Sequence, residues 1–191
     1  NGEDLVKAIA TSYETQLRLS MSIALNPNRI DHVGHLGPAI TSALGKLLKL
    51  DTETIYQAIQ WSAHTSIFTR QGRKGQLSSW KAYAPGLVGK YAIDAIDRAI
   101  RGDTSPSPVW EGDYGIIPIL VKKDNKDLSI ELPEKDEARA GILGTFTKEH
   151  SAGYHGNSII DLAFNVRKKI KDLKQVKKVN IYSKEYTHIV M

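Results

Sequence analysis

Gln76-Leu-Ser-Ser-Trp-Lys-Ala-Tyr-Ala-Pro85 runs directly into Gly86-Leu-Val-Gly-Lys-Tyr-Ala-Ile-Asp-Ala-Ile-Asp-Arg-Ala-Ile-Arg101. In the second stretch Val88, Tyr91, Ala92, Ala95, Ile96 and Ala99 recur at heptad-like spacing. The periodicity predicts an amphipathic helix over Gly86–Arg101 that starts after Pro85 and is closed by Gly102. Just upstream, Thr69-Arg-Gln-Gly-Arg-Lys-Gly75 packs three cations and two glycines into seven residues. Lys81, where this basic loop enters a buried helix, is placed to hold an anion. On spacing alone, a solvated lysine at a helix start is the plainer reading.

Working outward, Leu5, Ile9 and Tyr13 fall four apart, with Val6, Ala10 and Leu17 widening the stripe, so Asp4 to about Leu25 reads as a helix that Pro27 ends. A second helix, about Gly37–Leu48, carries the small residues Ala39, Ala43 and Gly45, which permit close packing. Asp51-Thr-Glu-Thr54 is a capping box that starts a third, with Asp51 or Thr52 at the cap. Beyond Thr104-Ser-Pro-Ser-Pro108 the pattern changes. Leu128–Leu132 alternates like a strand, Ile142–Thr147 and Val176–Ser183 read as further strands, and Asn157 caps a helix containing Ile159, Ile160 and Ala163. The expected fold is a mainly α-helical large domain, in part, followed by part of a smaller α+β lid domain. The expected bounds are 1–103 for the helical part, 104–127 for a connection and 128–191 for the lid.

The 191 residues are 41% hydrophobic and 25% charged, enough to build a core. The net charge of +5 is unevenly spread. Lys168, Lys169, Lys171, Lys174, Lys177 and Lys178 crowd the end without interleaved aromatics, which speaks against nucleic-acid binding. With no cysteine, disulfides, cysteine-ligated zinc and an iron–sulfur cluster held by this chain are excluded. No apolar run reaches membrane-span length and no signal-peptide pattern opens the chain, so a cytoplasmic location is the expectation. The start at Asn1 and the strand-like end before Met191 read as a piece of a longer polypeptide.

Of the six histidines, none forms a His-x-x-x-His or Glu-x-x-His pair on a helix, so no metal site is expected. His32 stands apart in setting, following Asp31 on a short loop before a helix, where a side chain suited to proton transfer near neutral pH would be useful. A surface histidine without a role fits the same pattern. Lys148 and His155 flank the start of the last helix, and alone they read as a polar loop.

Five segments together resemble the MmgE/PrpD family. They are Arg29-Ile-Asp-His-Val33, Arg70-Gln-Gly-Arg-Lys-Gly-Gln-Leu-Ser-Ser-Trp-Lys81, Pro106-Ser-Pro-Val-Trp-Glu-Gly112, Thr147-Lys-Glu-His-Ser-Ala152 and Ile181-Tyr-Ser183. The family comprises 2-methylcitrate dehydratases and relatives such as cis-aconitate decarboxylase. The resemblance implies a homodimer without metal or cofactor, acting on a small tricarboxylate at a site between the two domains. It implies that His32 is an acid–base group, that Lys81 and Lys148 hold substrate carboxylates, and that Arg70, Arg73 and His155 contribute to substrate binding. Two departures stand out. Relatives extend further in both directions and complete the site there, and Tyr154-His-Gly-Asn157 differs from their usual lid loop. The expected activity is dehydration of 2-methylcitrate to 2-methyl-cis-aconitate. The alternatives are decarboxylation of cis-aconitate or another tricarboxylate reaction, and an inactive fragment acting as an interaction module.

Overall fold

The computed structural model describes residues 1–121, 128–134 and 136–184. They are mostly helical: α1 Gly2–Ser22, α2 Leu36–Leu47, α3 Thr52–Thr65, α4 Trp80–Ile100 and α5 Tyr154–Arg167, with short 3-10 turns and a π-helical turn, Ile117–Val121, besides. The chain divides into two compact units, the first Asn1–Gly144 and the second beginning at Thr145. Among the described residues no helix is long and apolar enough to cross a membrane.

In the first unit α2 is the central element, packed against α1, α3 and α4. Its small residues make this possible. A Cβ on Gly37 would come within 2.7 Å of the Ser62 carbonyl, and one on Gly45 within 2.5 Å of Ile55. The buried hydroxyls of Thr41 and Ser62 meet at 3.0 Å across the α2–α3 contact, while both also bond within their own helices. The largest apolar cluster joins Leu19, Ile23 and Leu25 at the end of α1 to Ile30, Ala63, Val109, Ile116 and Val121. The segment after α4 therefore folds back into the core. Gln57 and Gln60 of α3 hold it there, accepting hydrogen bonds from the Ser105 and Val109 amides at 2.8 and 3.0 Å.

The helix ends follow local chemistry. Asp51 caps α3 by accepting from the Thr54 amide at 2.9 Å. Gly102, at φ +89°, ends α4 in a left-handed turn in which the Gly102 and Asp103 amides donate to the Ala99 and Arg98 carbonyls. Lys49 closes α2 with the same bonding pattern at φ 57°, a conformation that disfavours a side chain.

Three expectations are corrected. The fourth helix begins at Trp80, not after Pro85, and contains the proline. Pro85 offers no amide proton to the Lys81 carbonyl. The first turn forms regardless, because the Trp80 ring packs edge-on against Phe68 at 5.2 Å and Ala84 is fully buried. Asn157 does not cap the last helix, which starts at Tyr154; its side chain accepts from the His150 amide at 2.9 Å and so closes the preceding loop. Among the described residues there is no strand. Residues 128–132 and 176–183 form no ladder, and 141–144 is a 3-10 turn. An alternating segment becomes a strand only when a neighbour takes its backbone groups. Just before the expected strand Ile142–Thr147, the Gly141 amide is taken by the buried Glu14 side chain at 2.8 Å. Arg18, donating to Glu14 at 2.8 Å, and then the Gly141 amide hold this carboxyl below the usual carboxylate range.

His35 is the core histidine. It is 4% exposed, and its Nδ1 has no hydrogen-bond partner among the described residues. Burial pushes its pKa from 6.5 down to about 4, outweighing a hydrogen bond to the Ile23 backbone that favours the charged form; His32 nearby adds a smaller downward push.

Lys49→Gly should raise the unfolding free energy by about 0.5–1 kcal/mol, read by urea denaturation, because glycine accepts the left-handed turn without a Cβ penalty. The depressed pKa of His35 means that the folded state binds fewer protons than the unfolded one. Its neutral ring therefore costs no stability above the ordinary value of 6.5, and stability is lost as pH falls from there toward about 4. His35→Gln should flatten that part of the stability–pH curve, measured by denaturation at a series of pH values.

Candidate functional site

The loop between α1 and α2 and the loop between α3 and α4 are clasped together. The Asp31 amide donates to the Phe68 carbonyl and the Arg70 amide to the Arg29 carbonyl, both at 2.8 Å, around an isolated antiparallel bridge between Ile30 and Thr69. Arg29 reaches this register from a left-handed conformation, φ 62°. The clasp sets Asp31, fully buried, against Arg73, whose Nε lies 2.8 Å from both carboxylate oxygens. Oδ1 of Asp31 also accepts from the Val33 amide at 3.2 Å and so caps the 3-10 turn His32–His35. A buried carboxylate needs this much compensation, because an ionised group removed from water without partners is costly.

His32 emerges from this arrangement. Its ring is largely exposed and its Nδ1 lies 3.4 Å from Oδ1 of Asp31. The residues on either side of it are anchored, Asp31 at 0% and Val33 at 1% exposure. Val33 belongs to a second apolar cluster with Ala84 and Val88 of α4, flanked by Leu36 and Phe68. This cluster ties the His32 turn to the first turns of α4. Lys81 sits there, exposed, three residues before Ala84. No side chain caps that helix end, so the N-terminal dipole of α4 adds to the lysine charge. The lysine and the helix start together can attract an anion.

Two further cations lie on the same clasp. Arg70 reaches the Asn26 carbonyl at 3.5 Å and is half-buried. Arg73 directs its Nε to Asp31, as above. Gly72 between them leaves room for the Trp80 ring, which a Cβ there would meet at 2.5 Å. The structure thus brings His32, Lys81, Arg70 and Arg73 onto neighbouring elements of the first unit.

Lys148 and His155 belong to the second unit. Lys148 is exposed in the loop before α5. His155 lies in the first turn of α5, its ring edge-on to Tyr154 at 5.5 Å. In the same loop the Nε2 of His150 meets Asp161 at 2.7 Å, which ties the loop to the helix.

Asp31 was visible in the sequence only as the neighbour of His32. Its importance comes from Arg73, 42 positions away, and no local signal links the two. Among the described residues no group of three or more His, Asp or Glu side chains converges as a metal site would. A cavity of about 660 Å³ opens elsewhere on the first unit, lined by His64, Pro108, Tyr114 and Ile116 among others, and none of the residues expected from the sequence lines it.

Comparison with known proteins agrees with this helical reading. No solved structure matches the chain. The family model described as the MmgE/PrpD N-terminal domain matches residues 1–129, which include both halves of the Asp31–Arg73 clasp and all of α4. The chain belongs to the MmgE/PrpD family.

Proposed function

We propose that this chain carries part of the active site of a hydro-lyase that converts 2-methylcitrate to 2-methyl-cis-aconitate and water. The supporting observation is that the Val33–Ala84–Val88 cluster joins the His32 turn to the helix start bearing Lys81, so a proton-transfer group and a carboxylate-holding cation share one rigid support. In the reaction a base removes the proton on the carbon next to a carboxylate, the carbon–oxygen bond to the hydroxyl breaks, and an acid protonates the departing oxygen. Negative charge grows on that carboxylate as the proton leaves, and a fixed cation lowers the barrier most when it sits beside that charge.

In this reading Lys81 holds a carboxylate, helped by the dipole of α4, and His32 moves a proton. Arg70 raises the local positive potential, whereas the charge of Arg73 is matched by the Asp31 carboxylate. Lys148 takes a second carboxylate, and His155 contributes to substrate binding. The last two assignments rest on the family resemblance.

The test uses the full-length protein with 2-methylcitrate, following absorbance of the unsaturated product. Lys81→Met and His32→Ala should each lower kcat/KM by about 100-fold or more, ~2.7 kcal/mol of transition-state stabilisation. Lys90→Ala, an exposed lysine further along α4, serves as a control and should leave kcat/KM unchanged. Wild-type turnover in Lys81→Met or His32→Ala would remove that residue from the mechanism.

A further inference from the structure

An ion pair built on a fully buried carboxylate adds little to stability alone, since apolar residues of similar size often serve as well or better. The Asp31–Arg73 pair must therefore be weighed against what surrounds it. The Asp31 carboxylate has its Nε contact from Arg73 at 2.8 Å, its bond from the Val33 amide at 3.2 Å, and the Nδ1 of His32 at 3.4 Å. The Asp31 backbone is held by the Phe68 carbonyl, so the carboxylate has little freedom to move. His32, between two buried neighbours, is the one exposed member of the group, with 55% of its side chain accessible.

We propose that Asp31 is a positioning residue for His32, and that Arg73 serves this carboxylate instead of the substrate. This rests on the reading of His32 as the proton-transfer group. The carboxylate beside Nδ1 favours the tautomer with the proton on that nitrogen and leaves Nε2 as the basic one. It also fixes the ring against rotation and stabilises the imidazolium formed when Nε2 takes a proton. Arg73 holds the carboxylate in place through its Nε contact with both oxygens. Its contribution to the reaction passes through Asp31 and then His32.

The proposal is tested in the full-length protein with 2-methylcitrate as the substrate. Asp31→Asn keeps the size of the side chain and an oxygen for the Val33 amide, but removes the charge. Because it strands the Arg73 charge, Asp31→Asn/Arg73→Gln is made as well, and folding of each is checked by circular dichroism. Both are made alone and on a His32→Ala background. In each, kcat should fall about 100-fold with KM within about threefold of wild type, and on the His32→Ala background neither should lower the rate further. A loss confined to KM would overturn the proposal, as would wild-type kcat in the charge-removed pair. Equal fold-losses with and without His32 would overturn it too, while leaving His32 in the mechanism. Wild-type turnover in His32→Ala itself would overturn both this proposal and the assignment of His32 as the proton-transfer group.

Discussion

The ion pair between Asp31 and Arg73 fixes the geometry on which the candidate site depends. It joins two loops that separate different pairs of helices, and it does so from a position with no access to water on the carboxylate side. A pair of this kind imposes register more than it adds net stability. Removing one partner leaves a buried charge uncompensated, and a slipped loop pairing would do the same. The backbone contacts at 29–31 and 68–70 repeat the same register in neutral hydrogen bonds, so the two loops are held twice over. His32 inherits its position from that clasp.

The clasp in turn depends on how closely the helices approach. Gly37 and Gly45 let α2 lie against α3, and the Thr41–Ser62 contact fills the seam with a satisfied polar pair. Val33, Ala84 and Val88 then carry the order of the helical body out to the site. The cluster is small, but it connects the residue after His32 to the turn after Lys81, so packing in the core governs where the backbone carries both candidate side chains. In the same unit, Glu14, with Arg18 beside it, fastens the chain around Gly141 to α1. At both places a buried carboxylate with several partners pins a loop.

Much of the helical body was legible because its signals are local. The Leu5–Ile9–Tyr13 stripe, the Asp51 cap and the terminal Gly102 each act within a turn or two, and α1, α3 and the end of α4 follow them. The start of α4 was not legible, because Pro85 argues locally for a boundary while the Trp80–Phe68 contact, made across a loop, overrides it. The alternating segments 128–132 and 176–183 carry a strand pattern but lack a partner among the described residues, and pairing is not a property of one segment. The same holds for the site. His32 and Lys81 were picked out by residue type and setting, whereas the connection of Asp31 to Arg73 spans 42 positions and emerges only when the loops are brought together.

The account stands on the strength of that connection, and a double-mutant cycle measures it. Unfolding free energies would be determined by urea denaturation for the full-length protein, Asp31→Ala, Arg73→Ala and the double variant. Each single change should cost about 3 kcal/mol, and the double variant should cost less than their sum by about 2 kcal/mol or more, because it leaves no stranded charge. Costs that add to within about 0.5 kcal/mol would show two independent side chains and contradict the claim that this pair holds the site together.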